Sequence, residues 1–198
     1  TYTGFTGAQS ITLDGNSGMQ PDKVWIKTRS HSSDHALFDS VRGVNKQLRP
    51  NHNADEYDSY SDILTDFDSD GFTLGADTNV TNVNTDTRTY VAWCWKAGGT
   101  AVTDADGMNK TDGSASSSIS ISASATAGFS IIKYTGNGAA STITHGLNST
   151  PKMTIVKNIG TTEDWVVYHE GVGAGHYLRL NTDDTPAPDS GMCLNSTP

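Results

Sequence analysis

The sequence predicts an all-β protein, a β-sandwich or barrel in which one unit is followed by a truncated second copy. Three observations carry that expectation: an internal repeat, a run of short apolar segments at even spacing, and a composition rich in turn formers. The repeat spans residues 2–64 and 134–194. Tyr2-Thr3-Gly4 returns as Tyr134-Thr135-Gly136, and Ile11-Thr12 as Ile143-Thr144. After a small gap the register holds: Pro21 matches Pro151, Lys27 matches Lys157, Asp34 matches Asp164, and Gly43 matches Gly173. Leu48-Arg49 matches Leu178-Arg179, Asn51 matches Asn181, and Leu64 matches Leu194. Shared Pro, Gly and Arg-Asn positions in one ungapped register argue against chance likeness of two polar stretches.

The predicted strands are Lys23–Lys27, His35–Phe38, Phe72–Leu74 and Tyr90–Lys96, then Phe129–Tyr134, Met153–Lys157, Trp165–His169 and Tyr177–Leu180. Ser117–Ser124 alternates, with Ile119 and Ile121 on one face. Gly, Pro, Asn, Asp and Ser separate these segments, and no stretch holds a helical period. Evenly spaced short strands point to two packed sheets or a closed barrel. The expected division is a first β unit over residues 1–98, a Gly/Ser/Thr-rich connection over 99–128 with a strand near 117–124, and a truncated second copy over 129–198. Copy one lacks the strand that Phe129-Ser130-Ile131-Ile132 gives copy two. Copy two lacks counterparts of Phe72–Leu74 and Tyr90–Trp95. The chain therefore reads as a fragment of a longer repetitive protein. Its second copy is expected not to close a sandwich alone. It would pack on copy one, completing it with Phe129–Lys133, or pair with another chain.

The net charge of −9 disfavours a nucleic-acid partner, because little would neutralise phosphates. No apolar run approaches a membrane span, and no signal peptide opens the chain. The cysteines, Cys94 and Cys193, do not form a disulfide framework, and two buried thiols are expected.

The segments Pro21-Asp22-Lys23-Val24-Trp25-Ile26-Lys27, Leu37-Phe38-Asp39-Ser40-Val41-Arg42-Gly43, Phe67-Asp68-Ser69-Asp70-Gly71-Phe72-Thr73-Leu74-Gly75 and Tyr90-Val91-Ala92-Trp93-Cys94-Trp95-Lys96-Ala97-Gly98 resemble a repeat of marine bacteriophage, cyanophage-type, virion and tail-fibre proteins. Copy two resembles it through Tyr134-Thr135-Gly136-Asn137-Gly138, His145-Gly146-Leu147 and Pro151-Lys152-Met153. Copy one departs from this pattern, with Leu13-Asp14-Gly15 in place of His145-Gly146-Leu147. The resemblance implies concanavalin A-like jelly rolls in tandem. It implies a non-enzymatic structural and adhesive role in a virion or other extracellular setting. The partners would be host-surface carbohydrate, other virion subunits or further copies of the chain. A lectin-like bacterial surface or secreted adhesin is the alternative, and a polysaccharide-degrading enzyme the third reading.

Hydrolysis of a glycoside needs two carboxylates about 5–10 Å apart across the bond. The chain has three glutamates, Glu56, Glu163 and Glu170, and none lies in an alternating acidic strand. Asp66, Asp68 and Asp70 precede Gly71 in the spacing that opens a calcium loop, and Asp77 falls at its twelfth position. They are the metal candidates, against an acidic turn between strands. No other cofactor is expected. His31 and His35 sit in a loop entering a strand, where their spacing does not converge on a metal. In Tyr90–Trp95, Val91, Trp93 and Trp95 point one way and Tyr90, Ala92 and Cys94 the other. Both faces are apolar, which favours a core strand. On an outer face, Trp93 and Trp95 would instead stack sugar rings, and they are the ligand-binding candidates.

Overall fold

The computed structural model describes residues 1–15, 17–78, 83–110 and 116–188, and every regular element among them is a strand. Cys193 and Leu194 lie outside the described residues. The first unit holds β1 (Tyr2–Thr3), β2 (Gln9–Thr12), β3 (Lys23–Thr28), β4 (Ala36–Asp39), β5 (Gly43–Leu48), β6 (Leu64–Asp68), β7 (Gly71–Leu74) and β8 (Thr89–Trp95). Two antiparallel sheets form from them, ordered β1-β8-β3-β4-β5 and β2-β7-β6.

These sheets lie face to face over one core. Val24, Ile26, Ala36, Phe38 and Tyr90 come from the first sheet, and Leu64, Phe67, Phe72 and Leu74 from the second. The alternation is strict in β3, where even-numbered residues are buried and odd-numbered ones half-buried. That is the pattern of a strand with one face on a core. Tyr2 locks the edge of the layer: its ring stacks on Tyr90 at 5.0 Å and meets Phe72 edge-on at 6.3 Å. Buried Asp22 ties the entry of β3 to the exit of β8, accepting the Ala97 amide at 2.6 Å and the Gly99 amide at 3.2 Å.

Residues 99–128 are more regular than a connection. β9 (Val102–Lys110) and β10 (Ser116–Ser124) pair antiparallel, and β11 (Phe129–Tyr134) and β12 (Ser141–Ile143) flank them in the order β11-β10-β9-β12. Their small core is Met108, Ile119 and Ile121, with Ile132 and Ile143 beside it. Phe129–Lys133 therefore does not complete the first unit, because β11 pairs with β10 instead.

The last sheet comprises β13 (Met153–Val156), β14 (Val166–His169), β15 (His176–Arg179) and β16 (Ala187–Pro188). Several of its ladder pairs fall at positions equivalent to pairs in β3-β4-β5. Lys23 opposite Asp39 is matched by Met153 opposite His169, Trp25 opposite Leu37 by Ile155 opposite Val167, and Leu37 opposite Leu48 by Val167 opposite Leu178. Side-chain bonds follow. Asn51 receives the His35 amide and donates to Asp34, as Asn181 receives the Trp165 amide and donates to Asp164. This sheet packs on the first unit. Trp165, 3% exposed, lies with Leu37 and Leu48 of the first sheet and is joined by Ile155, Ile159 and Leu180. Its indole N–H donates to the carbonyls of Arg49 (3.2 Å) and His52 (3.0 Å). Backbone bonds from Glu56 to Ile159 and from Glu163 to Asn53 close the seam.

Candidate functional site

Side chains alternate across a strand, so the parity that sends Tyr90, Ala92 and Cys94 to the core sends Val91, Trp93 and Trp95 outward. The structure thus corrects the core expectation for the tryptophans. They stand on the outer face of the five-stranded sheet, where Trp93 is 45% exposed and Trp95 half-buried. The ladder places Trp25 of β3 directly opposite Trp93, and Lys23 opposite Trp95.

An aromatic strip results. Trp25 meets Trp93 edge-on, with centroids 6.2 Å apart and planes at 72°, and lies 6.5 Å from Trp95. Trp95 stacks on Phe129 at 6.2 Å and 19°. The Lys23 ammonium sits 5.1 Å from the Trp95 centroid and 5.6 Å from that of Phe129. Burial pushes the Lys23 ammonium below its usual range; Asp39 opposes that shift and Arg42 adds to it. The other end of the strip is held by His35, whose Nδ1 accepts the Trp25 indole N–H at 2.9 Å. Burial holds the His35 imidazole below its ordinary range, with Lys27 adding to the effect and Asp34 opposing it. An accepting Nδ1 must be unprotonated, so bond and shift agree.

Trp25 is thereby pinned by contacts on several sides, while Trp93 offers a ring to solvent. An exposed indole at the end of an aromatic row can stack against another flat apolar face. Sequence reasoning named Trp93 and Trp95 and missed Trp25, Lys23 and Phe129. Trp25 was accessible in principle, since it shares the odd parity of Lys23 and Lys27. Phe129 arrives from a sheet whose docking no local pattern encodes.

The metal candidates are not brought together. Asp66 and Asp68 belong to β6 and Asp70 to the tight turn into β7, so the three lie along a hairpin rather than in a loop. Asp66 is exposed, Asp68 accepts the Thr73 hydroxyl at 2.8 Å, and Asp70 accepts the Met19 amide at 3.1 Å. Gly71 is required for a different reason: its φ is +139°, and a Cβ there would fall 2.0 Å from the Ile11 carbonyl oxygen. Asp77 turns into the core, where it accepts the amides of Val83 and Asn84. Among the described residues no three His, Cys, Asp or Glu side chains group as metal ligands would. His31 is exposed. His145 accepts the Leu147 amide.

The carboxylates near the aromatic strip are engaged. Asp39 binds the Arg42 guanidinium at 2.6 Å, which also reaches Glu56 at 2.9 Å, and Asp34 binds Asn51 and Arg49. Cys94, half-buried on the inner face, has its thiol pushed up to about 11 by burial, which favours the protonated thiol near neutral pH.

The chain belongs to the family described as a domain of unknown function, DUF7483, whose model matches residues 1–198. No curated protein and no solved structure matches it.

Proposed function

We propose that this chain is a non-enzymatic structural and adhesive module of a phage virion or tail fibre, built from concanavalin A-like jelly-roll repeats, that holds host-surface carbohydrate on the outer face of its first sheet. The observation that carries the binding part is Trp93, 45% exposed and set at 72° to Trp25 on that face. The tandem reading draws on the ladder of β13-β14-β15, which repeats the registers and Asn-Asp bonds of β3-β4-β5. The jelly-roll reading draws on eight antiparallel strands in two sheets over one core. Binding without turnover fits carboxylates that are occupied by Arg42, Arg49 and Asn51 rather than poised across a groove. One stacked sugar is a weak site, and repeated display along a fibre would convert it into avidity.

A glycan array with the purified chain tests this, read beside quenching of its tryptophan fluorescence. Binding that disappears in Trp93→Ala, with the far-ultraviolet spectrum unchanged, is the expected result. An array without a hit, hits indifferent to Trp93→Ala, or release of reducing ends from a bound glycan would overturn it.

A further inference from the structure

Resting on that carbohydrate reading, we infer that the ligand of the Trp93 face is an anionic polysaccharide, a uronate or sulfated glycan, selected by Lys27. The outward positions of the two strands that form the strip are Lys23, Trp25 and Lys27 on β3, and Val91, Trp93 and Trp95 on β8. Both charged residues among them are lysines, in a chain with 22 acids and 13 Lys and Arg. A lysine on a binding face favours a ligand carrying negative charge, and chance placement in so acidic a chain would favour carboxylates.

The two lysines are not equivalent. Lys23 is enclosed by the rings of Trp95 and Phe129 and faces Asp39 across the ladder, so its charge is spent within the fold. Lys27 is half-buried and folds back on its own strand, where its ammonium donates to the Thr28 carbonyl at 2.9 Å. Lys46 and Lys152 instead pair with carboxylates, Asp58 at 2.8 Å and Glu170 at 2.9 Å, whereas Lys96 and Lys157, like Lys27, donate to backbone carbonyls, those of Gln20 at 3.3 Å and Asn158 at 2.6 Å. Lys157, the sequence counterpart of Lys27, lies just past β13 in the field of Asp55, Glu163 and Asp164. Lys27 instead has the imidazole of His35 within its field. A backbone carbonyl is a weak partner that a carboxylate or sulfate displaces readily, because the new bond is charged on both sides.

The spacing suits a substituted sugar. Lys27 lies opposite Val91, two ladder positions from the Trp25–Trp93 pair and on the same face. Diagonal neighbours on one sheet face are about 7–8 Å apart at Cβ, within reach of a lysine stem. A pyranose stacked on Trp93 can thus direct a ring carboxylate or sulfate at the Lys27 ammonium. β1 runs beside β8 only at Thr89 and Tyr90, so Trp93 stands beyond that pairing, where a long glycan can pass.

Matched probes separate the parts of this inference: polygalacturonate with its methyl ester, and a sulfated galactan with its chemically desulfated form. Each is titrated against the wild-type chain, Trp93→Ala and Lys27→Gln by tryptophan fluorescence and calorimetry. At least one charged form should bind more tightly than its neutral counterpart. Lys27→Gln should remove about threefold to tenfold of that preference, the range of a partly exposed charge-assisted bond, and added salt should erode it. Trp93→Ala should abolish binding of both forms. Equal binding of charged and neutral forms would overturn the anionic selection while leaving the carbohydrate reading intact. A charged preference untouched by Lys27→Gln would overturn the role of Lys27. Absence of binding to every probe, together with an empty array, would overturn both readings.

Discussion

Trp165 is the side chain on which attachment of the last sheet depends, and Trp165→Ala should detach that sheet without melting the first core. The indole is 3% exposed and packs with Leu37 and Leu48 across the seam. A tryptophan buries about 200 Å², which at about 25 cal/mol per Å² gives roughly 5 kcal/mol as an upper figure. Large-to-small truncation of a buried aromatic typically costs about 3–5 kcal/mol, and the indole N–H given to Arg49 and His52 contributes about 1 kcal/mol of it. Trp165→Phe keeps most of the apolar area and loses that bond, so it should cost about 1–2 kcal/mol. Amide hydrogen exchange reads the effect locally. Protection in β13 to β15 should fall by about two to three orders of magnitude in the alanine variant, while Val24, Ile26 and Phe38 in the first core stay protected. A loss below about 1 kcal/mol in urea unfolding, well under the usual range for such truncations, or an equal loss of protection in both regions, would refute the reasoning.

Other perturbations have equally definite outcomes. Arg42→Met leaves Asp39 and Glu56 as half-enclosed carboxylates whose side chains are 9% and 15% exposed, and should cost about 3–5 kcal/mol in urea unfolding; a neutral result would mean the network contributes nothing net. In a Cys193→Ser background, Cys94 should resist a disulfide reagent at about pH 8 until the chain unfolds, because its thiol is pushed up to about 11; rapid labelling of the native chain would contradict its burial. The His35 imidazole is held below its ordinary range in the folded state. Its share of stability is therefore present above about pH 6.5 and lost as pH falls through the lowered folded value. The melting temperature of the wild type should drop more than that of His35→Gln between about pH 7 and pH 5; parallel curves would show that the Trp25–His35 bond does not carry the dependence.

Much of the ladder was legible in the sequence because it rests on local pattern. Each apolar run named there lies in a strand whose bounds agree within a few residues. What escaped was decided elsewhere. β9 reads Val-Thr-Asp-Ala-Asp-Gly-Met-Asn-Lys and contributes only Met108 to a buried cluster, so no alternation announces it. Its pairing with β10 even shifts register between Ser117 and Ile119. The aspartates of residues 66–70 matched a loop motif by spacing, but a motif has meaning only in its structural setting, and here that setting is a hairpin.

The candidate site shows the same division between what parity encodes and what packing decides. Alternation in Tyr90–Trp95 separates two sets of side chains, yet both sets are apolar, so nothing local says which one faces the core. Packing decides it: Tyr90 stacks on Tyr2, which meets Phe72 of the second sheet edge-on, and the tryptophans are left outside. The outer row Leu48, Leu37, Trp25, Trp93 then crosses the sheet as one apolar band. Trp165 covers it at the Leu48 end, and Trp93 leaves it open at the other. Had the whole band been surplus hydrophobic surface, docking of the last sheet would be expected to hide it all. Instead the covered part carries the leucines, and the open part carries an indole ring with Lys27 beside it. That uneven covering makes the covered end a joint and leaves the exposed end free for the binding proposed for it.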